Sequence, residues 1–142
     1  MKRYRVILDT NIVLVAMRSN TGASHRLLAT IVHRRWQSIV TPALMYEYED
    51  VARRPGAAPG LSAQDITNIL DLIYRKSQRQ FVWFSWRPLS SDPGDDAILE
   101  AAIAGRCDYV VSFNARHLWA VRDFGIEVLK PVDLLKLIGE IK

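Results

Sequence analysis

A chain of 142 residues suits one compact domain, large enough for a real core and too short for two ordinary ones. With 49% apolar and 24% charged residues it is neither disordered nor of low complexity, and no uninterrupted apolar run is long enough to span a bilayer. The lone Cys107 excludes an intrachain disulfide framework and a thiolate zinc cage and fits a reducing cytoplasm, while a net charge of +4 suits a polyanionic partner.

Met1-Lys2-Arg3 followed by apolar residues faintly suggests a secretory leader, but Asp9 and Asn11 interrupt the run and no small-residue cleavage site follows. Instead Val6-Ile7-Leu8 has the continuous apolar pattern of a strand covered on both faces. Ile12, Val15 and Ala16 then recur at helical spacing, so polarity changes at Asp9, Thr10 and Asn11. In an open parallel sheet that point is the carboxyl end of a strand, where ligand crevices open. The competing reading is that Asp9 or Asn11 only caps the next helix.

Ser19 to Gly22 reads as a turn, and the following helix carries Leu27, Leu28, Ile31 and Val32 on one face and ends near Arg34-Arg35. Ser38-Ile39-Val40 is a short strand, and Thr41-Pro42 is a helix cap with proline at the first position. Leu44, Tyr48, Val51 and Ala52 form the buried stripe of that third helix, with Glu47 beside it, and Arg53 to Gly60 close it with a loop. Ser62 and Asp65 have capping-box spacing before a helix faced by Ile66, Ile69, Leu70 and Ile73. Phe81-Val82-Trp83-Phe84 reads as the next strand.

Asp92-Pro93-Gly94-Asp95-Asp96 opens a helix bearing Ile98, Leu99, Ala102 and Ile103. Helical spacing sets Asp95 on the buried side and Asp96 nearer the flank. A plain capping arrangement, Asp92 as cap and Asp95 closing a capping box, accounts for the same residues. Tyr109 to Val111 form a strand, Asn114 begins a short helix, and Glu127-Val128-Leu129 is a last strand before a helix from Val132. Strands alternating with helices throughout predict an α/β fold with a parallel sheet. The cationic pairs Arg34-Arg35, Arg53-Arg54 and Arg75-Lys76, with Arg79, lie towards predicted helix ends, where the helix dipole accounts for them as well as phosphate would.

Under that topology Asp9, Asp95 and Asn114 all fall at helix starts on one edge of the sheet. Glu47 borders the same edge beyond the first turn of its helix, so it is no cap. Carboxylates gathered together repel one another unless a cation joins them or a proton is held. Oxygen donors without a thiolate or a close histidine pair suit magnesium or manganese, and such an ion activates water for in-line attack on a phosphodiester. His25, His33 and His117 are scattered and read as surface or core-edge residues.

The chain resembles the PIN-domain family, specifically the VapC-like ribonucleases that serve as bacterial toxin components of toxin–antitoxin systems. The resemblance is carried by Leu8-Asp9-Thr10-Asn11-Ile12-Val13, by Ser19 to Ser24, by Thr41-Pro42 with Glu47-Tyr48-Glu49-Asp50-Val51, and by Trp86-Arg87-Pro88. It continues through Asp92-Pro93-Gly94-Asp95-Asp96, Val110-Val111-Ser112-Phe113-Asn114, and Phe124 to Val128 leading to Pro131, and so spans nearly the whole chain. It implies a three-layer α/β/α sandwich with a central parallel sheet, cleavage of single-stranded RNA, and a site for Mg2+ or Mn2+. Asp9, Glu47 and Asp95 match the family's core acids, with Asp96 competing for the third place. Asn114 holds the fourth acidic position, where an amide orients water or donates to phosphate but brings no charge to a second cation. Asn11, Ser112 and Arg18 are candidates to position RNA. A cognate antitoxin and a homodimer are the partners expected from the resemblance.

The rival reading is a non-catalytic module that holds RNA or a protein and uses the acids only as caps. A haloacid-dehalogenase-type phosphatase needs an aspartate where Asn11 stands. A receiver domain has a parallel in Lys130-Pro131, but needs an acidic pair closing the first strand and an aspartate after the third, where Trp83-Phe84-Ser85 stands. No glycine-rich phosphate loop follows any strand.

Overall fold

The computed structural model describes residues 2–82 and 93–142, the side chains of residues 93–95 excepted. Its frame is a sheet of five parallel strands in the order β3-β2-β1-β4-β5. The strands are β1 (Tyr4–Leu8), β2 (Trp36–Val40), β3 (Gln78–Arg79), β4 (Tyr109–Val111) and β5 (Glu127–Leu129). Between and after them run α1 (Thr10–Arg18), α2 (Ala23–Ala29), α3 (Pro42–Ala52), α4 (Ala63–Lys76), α5 (Pro93–Ala104), a 3₁₀ segment over Ala115–Phe124, and α6 (Pro131–Leu137). Val6, Ile7 and Leu8 point alternately to opposite faces of the sheet, yet all three are buried, so helices cover both sides of the central strand.

The local chemistry of the caps explains where several helices begin. Thr41 accepts the Leu44 N–H at 3.1 Å, ahead of Pro42 at the first turn of α3. Ser62 and Asp65 form a reciprocal capping box at the start of α4, with bonds of 3.0 and 2.9 Å. On the sheet, α3 is pinned to β1 by the Tyr48 hydroxyl, which donates to the Leu8 carbonyl at 2.5 Å. α3 also packs against α1 and α5, and α5 lies on β1. Gly105, just after α5, has no room for a side chain, since a Cβ there would stand 2.9 Å from the Ala101 carbonyl oxygen.

Three expectations from the sequence are corrected. The third strand is Gln78–Arg79, upstream of the aromatic run; Phe81 lies outside any strand and is 67% exposed, while Trp83 and Phe84 fall outside the described residues. Its position follows from the register Ile39↔Gln78 and Val40↔Arg79 and from Ser77, whose hydroxyl donates to Ser38 Oγ at 2.7 Å directly after α4 ends. Arg79 accordingly sits in a strand and not at a helix end. The second helix stops at Ala29, short of Arg34-Arg35: the Thr30 hydroxyl takes the Leu27 carbonyl at 2.7 Å, and Val32 is left 64% exposed.

Candidate active site at the carboxyl edge of the sheet

Asp9 is the first residue beyond β1. Its N–H donates to the Val111 carbonyl at 2.9 Å, which extends the β1–β4 ladder by one step. Its own carbonyl accepts the Ile12 N–H at 2.9 Å, so the backbone of Asp9 stands at the cap position of α1. The side chain makes no capping bond. Asp9 Oδ2 instead accepts the Ser112 hydroxyl at 2.5 Å.

Ser112 occupies the matching place one step beyond β4, because the register sets Leu8 opposite Val111. Ser112 Oγ also accepts the Asn114 N–H at 2.9 Å. An amide N–H can only donate, so the hydroxyl proton is directed to the Asp9 carboxylate. Both side chains are withdrawn from water, Asp9 at 5% and Ser112 at 2% exposure. A charge-assisted bond in such surroundings fixes the carboxylate's orientation.

Tyr48 lies near enough to Asp9 to feel its charge. Its phenol is pushed well above the ordinary range, first by burial and then by the negative charge of Asp9, so it stays a donor to Leu8. The sequence stripe cast Tyr48 only as core. The available signal was chemical, since a phenol within an aliphatic stripe needs a partner for its hydroxyl.

The remaining acids come from the helices packed around this edge. Glu47 is half-buried on α3, next to Tyr48. Asp96, expected nearer the flank, is buried at 4% exposure. The side chain of Asp95, expected on the buried side, lies outside the described residues. Glu100, one helical turn beyond Asp96 on α5, is also buried and was not singled out from the sequence. An acid four residues after another, in a helix whose other residues from Ala97 onward are all Ala, Ile or Leu, was the signal for it.

Asn114 is exposed and precedes the 3₁₀ segment, but its side chain makes no capping bond. Asn11 is exposed in the first turn of α1, two residues from Asp9. Arg18 belongs elsewhere: it ends α1, about 12 Å from the helix start by helical rise, and its Nε donates to the Ala57 carbonyl at 2.6 Å. The structure therefore joins Asp9 and Ser112 directly, brings Tyr48 and the Asn114 backbone to them, and keeps Arg18 at the far end of α1.

A family model for the PIN domain matches residues 5–116. The chain belongs to the PIN-domain family. Among solved structures, VapBC2 from Rickettsia felis bound to a DNA fragment from their promoter contains a chain similar to it, with a TM-score of 0.55 at 13% identity. That likeness covers 89% of this chain and 98% of the other, and at such identity it speaks to the fold. No curated protein matches the sequence.

PIN domains are typically metal-dependent nucleases, and the donor set of this PIN domain fits a hard divalent cation. Asp9 offers a buried, oriented carboxylate, and the acids on α3 and α5 are oxygen donors as well. Among the described residues, no three acidic, histidine or cysteine side chains gather closely enough to hold an ion unaided. Magnesium is commonly bound by one or two carboxylates, with water and substrate phosphate completing its shell, so such a sparse set is compatible with it.

Proposed function

We propose that this PIN domain is a Mg2+- or Mn2+-dependent endoribonuclease that cleaves single-stranded RNA, and that it is the toxin half of a toxin–antitoxin pair. The observation that carries the reading is the Asp9 carboxylate. It stands in the cap position of α1, leaves the helix uncapped, and is held in one orientation by Ser112. A residue kept from its ordinary structural task while buried at a ligand-binding edge is available for chemistry. Asp9, with Glu47 on α3 and Asp95 or Asp96 on α5, would hold the cation. The bound ion would supply a water activated for attack and would neutralise charge on the phosphodiester.

The chain's own residues orient and position. Ser112 aims Asp9, and Tyr48 anchors α3, with Glu47, on the central strand. Asn114 and Asn11, both exposed at this edge, would donate to RNA phosphate. The similar Rickettsia felis structure, a VapBC2 assembly on promoter DNA, supports a partner protein for this chain too.

The test is cleavage of labelled single-stranded RNA by the purified chain with magnesium or manganese. Wild-type protein is expected to cut, chelator to stop it, and Asp9→Asn to lower the rate by about a hundredfold or more. Cleavage that survives both chelator and Asp9→Asn would overturn the reading.

A further inference from the structure

Two strands along the same sheet edge from Asp9, the chain forms a hollow of about 290 Å³. Val40, Thr41, Tyr74, Arg79, Gln80 and Phe81 are among the residues that line it. The Gln80 N–H donates to the Val40 carbonyl at 2.8 Å, so the β2–β3 ladder also continues one step past its last strand residue. Adjacent strands lie about 4.8 Å apart, which puts the end of β3 roughly 10 Å from the end of β1 and Asp9. That is within reach of a single strand lying across the sheet edge.

The walls have an uncommon chemistry for a surface hollow. The Arg79 guanidinium lies over the Tyr74 ring, 4.8 Å from its centroid, a contact that favours this placement of the cation. Tyr74 is 45% exposed and Phe81 67% exposed, so aromatic surface and a positive charge line the same hollow. Aromatic faces beside a cation are what a single-stranded nucleic acid needs, because every base has a π-face to stack and every linkage a phosphate. The volume is of the order that accepts a small ligand moiety. An apolar peptide would gain nothing from Arg79.

We propose that this hollow is a nucleobase subsite for single-stranded RNA, in which Phe81 stacks a base and Arg79, braced on Tyr74, takes a neighbouring phosphate. The choice of RNA rests on the ribonuclease reading above. The subsite would set which part of a strand lies over Asp9, and so contributes to the choice of cleavage position.

Fluorescence anisotropy with short labelled single-stranded RNA tests it, on the full chain in chelator so that the probe stays intact. Phe81→Ala should weaken binding of intact RNA about tenfold and leave binding of a fully abasic strand of equal length unchanged. Phe81→Trp should restore binding. Arg79→Gln should reduce the slope of log affinity against log salt by about 0.7, the share of one phosphate contact on a single strand. Equal losses on intact and abasic strands, or wild-type affinity of Phe81→Ala for intact RNA, would overturn the subsite, the latter leaving the hollow to a peptide. Cleavage is scored separately with magnesium. Base-dependent binding at Phe81 without wild-type cleavage keeps the subsite and defeats the nuclease reading. Wild-type cleavage with no role for Phe81 in binding does the reverse.

Discussion

β1 and β2 lie side by side, run the same way, and each hands the chain to a helix at the same edge of the sheet, yet they do so with opposite use of the side chain at the junction. After β2, Thr41 turns its hydroxyl onto the Leu44 N–H and caps α3. After β1, Asp9 turns its carboxylate away from α1 and towards Ser112. A helix start left without its side-chain cap forgoes about 1 kcal/mol. The contrast sets capping against a second bond at one residue, and a serine 103 positions away in sequence takes the carboxylate.

The largest effect that should break this contrast is Ser112→Ala. Removing the hydroxyl that orients a proposed metal-binding carboxylate should reduce cation affinity or cleavage by about 10- to 100-fold, measured by manganese titration and RNA cleavage. Thr41→Ala, the equivalent loss at the neighbouring junction, should leave cation affinity per folded molecule unchanged. A matching loss of cation affinity there would dissolve the distinction between the two junctions.

Thermal or urea denaturation in chelator sharpens the comparison through stability. Thr41→Ala should cost about 1 kcal/mol. Asp9→Asn should cost nothing and tend to stabilise, because it removes a buried charge while leaving an acceptor for Ser112. A loss equal to that of Thr41→Ala would return Asp9 to a structural role.

Tyr48 offers a comparison across pH. Its phenol is held above the ordinary range when folded, so its contribution is complete below the unfolded value of about 10 and is lost as pH rises through the folded value. Tyr48→Phe should lower stability near neutrality by about 1 kcal/mol, the worth of its bond to Leu8. The variant should also lose less stability than wild type above about pH 10. Parallel alkaline profiles for the two proteins would contradict this.

The smallest effect is expected at Asn114. Since its side chain makes no capping bond, Asn114→Ala should change stability by only a few tenths of a kcal/mol. Its consequence should appear in cleavage, through lost positioning of RNA, and Asn114→Asp should tighten cation binding if the side chain serves the site. A cost near 1 kcal/mol with unaltered cleavage would mark it as a cap only.

What could be read from the residues alone follows the physics of each element. The central strand was legible because both of its faces are apolar, and Thr41-Pro42 and Ser62 to Asp65 because caps are written in local chemistry. β5 likewise spans the predicted Glu127–Leu129. β3 was not legible: a two-residue edge strand has no periodicity of its own, and its place is set by where α4 releases the chain beside Ser38. At the candidate site, the position of Asp9 just past β1 was legible, but its bond to Ser112 was not, because the two lie on distant segments.

The depth of Asp96 was misjudged for a different reason. Ala97, Ile98, Leu99, Ala101 and Ala102 are all buried, so α5 is enclosed on several sides and helical phase discriminates poorly between neighbouring residues.

The bond between Asp9 and Ser112 spans 103 positions of sequence. During synthesis the first strand and its carboxylate leave the ribosome well before the hydroxyl that aims that carboxylate, with 103 positions of chain between them. β1 must also wait for β4 before its second edge is paired. The two halves of the centre are thus separated in time as well as along the polymer, and a nascent chain carries the acid well before it carries the group that orients it.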